Sequence, residues 1–124
     1  MKDTPTSPDS GSGPHGLDLS VLSRMVGDDS VKFEKFARLF MSSMEDVLRQ
    51  VDAAIAAADM SALAAMGHRA KSTALNVGAT ALSGRCVEME QAAKAGLQDD
   101  ALQIASSLRL EYDLVCQAMH ARLS

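Results

Sequence analysis

Tryptophan is absent from this sequence, and aromatic residues make up only 3% of it. Any core the chain builds must therefore be aliphatic, with eight methionines available as adaptable filler. The three prolines all fall before residue 15, so none interrupts a helix beyond that point. Positive charge is in deficit: 12 Lys and Arg against 16 Asp and Glu leave a net charge of −4. That balance disfavours nucleic acid as a partner, because phosphate-backbone binding needs a basic field. No apolar run approaches the ~20 residues that cross a bilayer, so no membrane association is expected. The two cysteines, Cys86 and Cys116, form no C-x-x-C pair, and no secretory leader precedes them. Both are expected to be reduced core thiols in a cytoplasmic protein. There is also no P-loop, no glycine-rich nucleotide loop and no acidic metal cluster, so neither ATP chemistry nor a metal or other cofactor of its own is expected.

What is present is helix-forming. Residues 1–16 hold every proline among Gly, Ser, Thr and Asp, and read as a disordered leader or linker. The remainder, 17–124, reads as one domain. Leu19, Leu22, Met25 and Val26 predict a short helix over about 18–26, ended by Gly27. Asp28, Asp29 and Ser30 are N-cap candidates for a long helix over about 30–57. Its apolar positions are Phe33, Phe36, Ala37, Phe40, Met44, Val47, Leu48, Val51 and Ile55. Asp59 or Ser61 can cap a helix reaching about Val77, with the stripe Leu63, Met66, Ala70, Ala74 and Val77. Gly78 marks a break or a close helix contact. A helix over about 79–95 uses Leu82, Cys86, Met89 and Ala93, with Gly96 as the residue past its end. The last, about 99–122, uses Ala101, Ala105, Leu108, Tyr112, Val115 and Met119. Nothing alternates with a strand period. Short connections make neighbouring helices antiparallel, so the expected fold is all-α: an up-down-up-down four-helix bundle with a short N-terminal helix.

The segment Leu63 to Gly78 carries the chemistry. At about 100° per residue its apolar stripe spans roughly 80° of arc, and His68 points roughly 160° from the stripe's middle. His68 should therefore face solvent. Ala64, Ala65, Lys71 and Ser72 surround it at three and four residues' distance, and Leu75 lies on the same exposed side. Small neighbours leave the imidazole open to a bulky partner, Lys71 offers a cation to an anion there, and Leu75 suggests a docking surface. A neutral imidazole nitrogen is a competent nucleophile near neutral pH, and a phosphoryl group held by a partner is a fitting electrophile. By spacing alone, a solvated surface histidine remains an alternative, and Leu75 could instead face a neighbouring helix.

The stretch Gly67-His68-Arg69-Ala70-Lys71-Ser72-Thr73, followed by Val77-Gly78-Ala79, resembles the motif of the histidine-containing phosphotransfer (HPt) family, roughly Ala-His-x-Leu-Lys-Gly-Ser and then Gly-Ala. The likeness continues through Leu82, Cys86 and Glu90, and upstream through Gly27-Asp28-Asp29 and Phe40-x-x-Ser43, covering about residues 17–123. It implies that His68 is the phosphorylated histidine, that Lys71 steadies the phosphate, and that Gly78 is the glycine closing the helix. It further suggests Lys94 as a basic residue near the site, with Glu90 flanking the histidine. Ser72 stands where the family has glycine and Ala70 where it has leucine. Ser72 is still small and its hydroxyl could bond the phosphoryl group or the imidazole, while Ala70 only reduces core volume.

The expected partners are receiver domains of response regulators and a hybrid sensor histidine kinase. Mg²⁺ is expected only in the receiver, and the protein itself is expected to be a monomeric phosphocarrier without kinase activity. Ala64, Ala65, Leu75 and Lys94 are the expected partner-binding residues. His15 and His120 are read as solvated, and Tyr112 as a bundle residue with its hydroxyl at the surface. A di-iron carboxylate bundle is disfavoured because no Glu precedes a His by three residues. The remaining alternative is an interaction domain of HPt shape that carries no phosphate.

Overall fold

A computed structural model describes residues 29–123 together with positions 20, 24 and 27. The leader over 1–16 and the short helix expected over 18–26 lie outside the described residues, apart from Ser20 and Arg24. Four helices follow in order: α1 (Ser30–Ala57), α2 (Met60–Leu75), α3 (Thr80–Lys94) and α4 (Gln98–Leu123). Each packs against its chain neighbour, and α4 closes the ring against α1. The result is the expected antiparallel bundle.

Local chemistry sets the helix ends. The Asp29 side chain accepts hydrogen bonds from the backbone N–H groups of Val31 at 2.9 Å and Lys32 at 3.1 Å. Asp59, not Ser61, caps α2, accepting from Ala62 N–H at 3.0 Å. Each carboxylate satisfies donors that the first helical turn leaves without partners. Helix α2 stops at Leu75, two residues short of the expected end, and Gly78 with φ of +78° turns the chain into α3. Val77 nevertheless stays buried within that turn.

Ala58, between α1 and α2, has φ of +50°, a left-handed conformation in which a Cβ is strained. Ala58→Gly is expected to stabilise the protein by about 0.5 kcal/mol, since relief of that strain exceeds the added unfolded-state entropy. Urea unfolding checks this, and a lower midpoint would refute it.

The core is aliphatic and methionine-filled as the composition requires. Met44, Leu48, Leu63, Leu82, Met89, Leu108 and Met119 are fully buried. Phe40 and Tyr112 supply one aromatic contact, with ring centroids 6.0 Å apart. Several expectations need correcting. Phe36 is 37% exposed, because it lies at the rim of a groove between α1 and the end of α2, beside Thr73 and Asn76. Met66 and Ile55 are only half-buried at the stripe edges, while Ala54 is buried instead. The Tyr112 hydroxyl is not at the surface: it donates to the Met41 carbonyl at 3.3 Å, inside the bundle. Burial pushes its pKa upward.

Helix α2 buries mostly small residues: Gly67, Ala70 and Ala74 beside Leu63. That seam lets α2 and α3 approach closely, and theirs is the most extensive interface in the bundle. A Cβ on Gly67 would lie 2.6 Å from the Cys86 carbonyl oxygen, 3.0 Å from Glu90 N and 3.1 Å from Glu90 Cβ. The backbones are thus as near as glycine permits. One turn along, the buried Ser83 hydroxyl donates to the Lys71 carbonyl at 3.1 Å.

Candidate functional site

His68 stands on α2 with its side chain 68% exposed, as its position opposite the apolar stripe requires. Its ring does not float free. Nδ1 lies 3.1 Å from Glu90 Oε2, on α3. Glu90 is almost wholly covered, its side chain only 9% exposed, and it gathers two more partners. Lys94 Nζ donates to the same Oε2 at 2.9 Å, one turn along α3. Lys71 Nζ, from α2, lies 3.8 Å from Oε1. The close approach at Gly67 is what brings a residue of α3 within reach of an imidazole on the next position of α2.

The electrostatics of this cluster are self-consistent. The Lys94 ammonium holds the Glu90 carboxyl below its usual value, against the opposing effect of burial, and His68 adds to the lowering. Glu90 is therefore ionised at neutral pH. Its lowered folded-state pKa contributes stability that is complete above the unfolded value. That stability fades only as pH falls through the folded one, in the acid range. An ionised carboxylate can only accept, so the imidazole proton between them belongs to Nδ1. In the neutral ring, Nε2 then carries the lone pair.

The other expected site residues fall around this centre. Ser72 and Ala65 are exposed, Ala64 is half-buried and Lys71 is one-third exposed. Leu75 is 52% exposed, on the surface and not against a neighbouring helix. Lys94 reaches the site through Glu90. Gly78 lies at the end of α2, in the turn to α3, as a backbone element only. Arg69, next to His68, ties the site to α1 through Asp46 Oδ2 at 3.1 Å.

Three contributions went unassigned from sequence. Gly67 was visible as a glycine inside a helical pattern, a costly placement that signals a packing reason. Ser83 and the Arg69–Asp46 pair had no local signal, since both partners lie on other helices.

The remaining marked residues lie outside the cluster. Cys86 and Cys116 are free thiols. Cys86 is buried, and its pKa is pushed up to about 12 by that burial, which keeps it an unreactive thiol. Cys116 is half-buried, less enclosed than expected, and burial also raises its pKa. His120 is exposed beside Glu34, Arg38 and Met41 at a cleft between α1 and α4. Among the described residues no group of His, Cys, Asp and Glu could hold a metal ion.

An antiparallel four-helix bundle that offers an exposed imidazole, anchored by a carboxylate and flanked by lysines, defines a class of protein: a phosphocarrier. Residues 35–119 match the Hpt domain, and the chain belongs to that family. It is similar in structure to histidine-containing phosphotransfer protein B from Pseudomonas aeruginosa PAO1, with a TM-score of 0.81 and 28% sequence identity. That likeness covers 90% of this chain and 96% of the other. No curated protein sequence matches the chain. The protein is thus a histidine phosphotransfer module of a phosphorelay, a carrier and not a kinase. Among the described residues no helix is long and apolar enough to cross a membrane.

Proposed function

We propose that His68 accepts a phosphoryl group on Nε2 from the aspartyl phosphate of a receiver domain and passes it to another receiver, reversibly. The hydrogen bond from Nδ1 to the buried Glu90 carboxylate carries this reading, because it leaves Nε2 with its lone pair and holds the ring in one orientation. The lone pair attacks phosphorus in line as the bond to the aspartyl oxygen breaks, and charge spreads over the equatorial oxygens of a loose transition state. The receiver supplies Mg²⁺; this chain supplies the nitrogen, a rigid platform and nearby cations.

Lys71 is the cation suited to the phosphoryl group. At 3.8 Å from Glu90 it is held more loosely than Lys94 at 2.9 Å, so it can turn outward. Ala64, Ala65 and Ser72 leave room for a receiver, Leu75 gives it an apolar contact, and Lys94 adds positive charge beside an acidic partner site. A hybrid sensor kinase would supply the donor receiver, and the module would act as a monomer. Lys71→Ala is expected to slow transfer about tenfold, ~1.4 kcal/mol in the barrier, with the fold unchanged. Single-turnover transfer rates check this, and an unaltered rate removes Lys71 from the mechanism.

The function itself is tested by incubating the protein with a receiver carrying radiolabelled aspartyl phosphate. Acid-labile, base-stable label that maps to the peptide containing His68 is the expected result. A panel of receivers that transfers no label would favour the alternative, an interaction domain whose histidine is unused.

A further inference from the structure

We infer that Glu90 keeps the proton on Nδ1 of His68 after the phosphoryl group has joined Nε2, so that the phosphohistidine remains in its transfer-competent form above neutral pH. The inference rests on His68 being the phosphoacceptor and concerns what happens next at the same ring.

The bond bookkeeping requires such a group. When Nε2 donates its pair to phosphorus, the aspartyl oxygen leaves with the pair of the P–O bond and no proton moves. The ring, already carrying hydrogen on Nδ1, becomes cationic. On transfer onward the Nε2–P pair returns to Nε2 and a neutral imidazole departs. If the Nδ1 proton were lost meanwhile, the departing group would have to be an imidazolide anion, a far poorer leaving group. A carrier must therefore protect that proton for as long as it holds the phosphoryl group.

The surroundings of the ring show which residue does so. On α2, Lys71 approaches Glu90 Oε1 at 3.8 Å, and Arg69 is engaged with Asp46 of α1 at 3.1 Å. On α3, Lys94 donates to Glu90 Oε2 at 2.9 Å. Both lysines oppose a cationic ring. Glu90 is the one carboxylate bonded to the ring among the described residues, and its Oε2 accepts from Nδ1 directly at 3.1 Å. Its near-complete burial keeps water from replacing it, and Lys94 keeps it ionised. An opposite charge at that distance favours the protonated ring.

Glu90→Gln separates charge from geometry, because the amide oxygen can still accept from Nδ1–H. Transfer from each phosphorylated protein to the same unphosphorylated receiver is followed between pH 6 and 9, and the wild-type to variant ratio at each pH removes the receiver's own titration. The variant is expected to lose transfer activity at a pH about one to three units lower than the wild type. Coincident profiles would overturn the inference while leaving the phosphoacceptor intact; failure to label His68 at all would overturn the function instead. A measurement on the wild type alone guards against a misfolded variant. The Nδ1 ¹⁵N shift of the phosphorylated protein is expected to titrate at higher pH than that of free Nε2-phosphohistidine, and titration at the same or lower pH would sink the proposal.

Discussion

Gly67→Ala is expected to destabilise the protein and to slow phosphoryl transfer together. On an exposed helix the substitution would stabilise by up to about 1 kcal/mol, because glycine is a poor helix former. Here the added methyl would sit 2.6 Å from the Cys86 carbonyl oxygen and 3.0 Å from the Glu90 nitrogen, both backbone atoms of α3 that cannot swing aside. The two helices must separate, which loosens the seam of Ala70 and Ala74 and strains the Ser83 bond to Lys71. Overpacking of this kind costs about 1–3 kcal/mol net, a fall in melting temperature of roughly 4–8 °C per kcal/mol for a domain of this size. Because His68 and Glu90 stand on opposite sides of that seam, their 3.1 Å contact lengthens with it. Thermal unfolding and single-turnover transfer check the two effects, and a variant more stable than wild type would show that the helices do not meet as closely as described.

The second large effect concerns His68 itself. His68→Gln is expected to remove phosphoryl acceptance entirely while leaving stability within about 0.5 kcal/mol, since the side chain is 68% exposed. Glutamine also suits the buried neighbour: its amide can donate to Glu90, which keeps Lys94 in any case. Loss of label with an unchanged unfolding curve assigns the nucleophile. Label retained at wild-type levels would place the acceptor elsewhere and with it discard the roles proposed for Lys71 and Glu90.

Much of this architecture is legible in the sequence. The boundaries 30–57 of α1 follow from the cap candidates Asp28, Asp29 and Ser30 and a periodic stripe, and Leu63, Ala70 and Ala74 fall in the core where their spacing puts them. The misplacements have a common cause. Phe36 and Met66 fit the helical period as well as their neighbours, yet each lies at an edge of its stripe, where burial depends on what the adjoining helix presents. Tyr112 was placed in the bundle correctly, but the acceptor for its hydroxyl, the Met41 carbonyl, is remote in sequence and gives no local sign. The chemistry divides likewise. His68 and Lys71 could be read from one helix, because residues three and four apart share a face. Glu90 could be associated with them only through the family resemblance, since its effect depends on the separation of two helices.

The sequence by itself determined the four helices of the described residues, the candidates for their caps, and the outward direction of His68, because these depend on periodicity and on groups within a few residues of one another. Only the tertiary structure decided which nitrogen of that histidine, Nδ1, a carboxylate engages. That choice needs a carboxylate from α3 held 3.1 Å from the ring, ionised by Lys94 and enclosed by a contact that only the missing side chain of Gly67 allows. Distances between helices are set by the volumes packed between them, and no pattern along one chain segment records that sum.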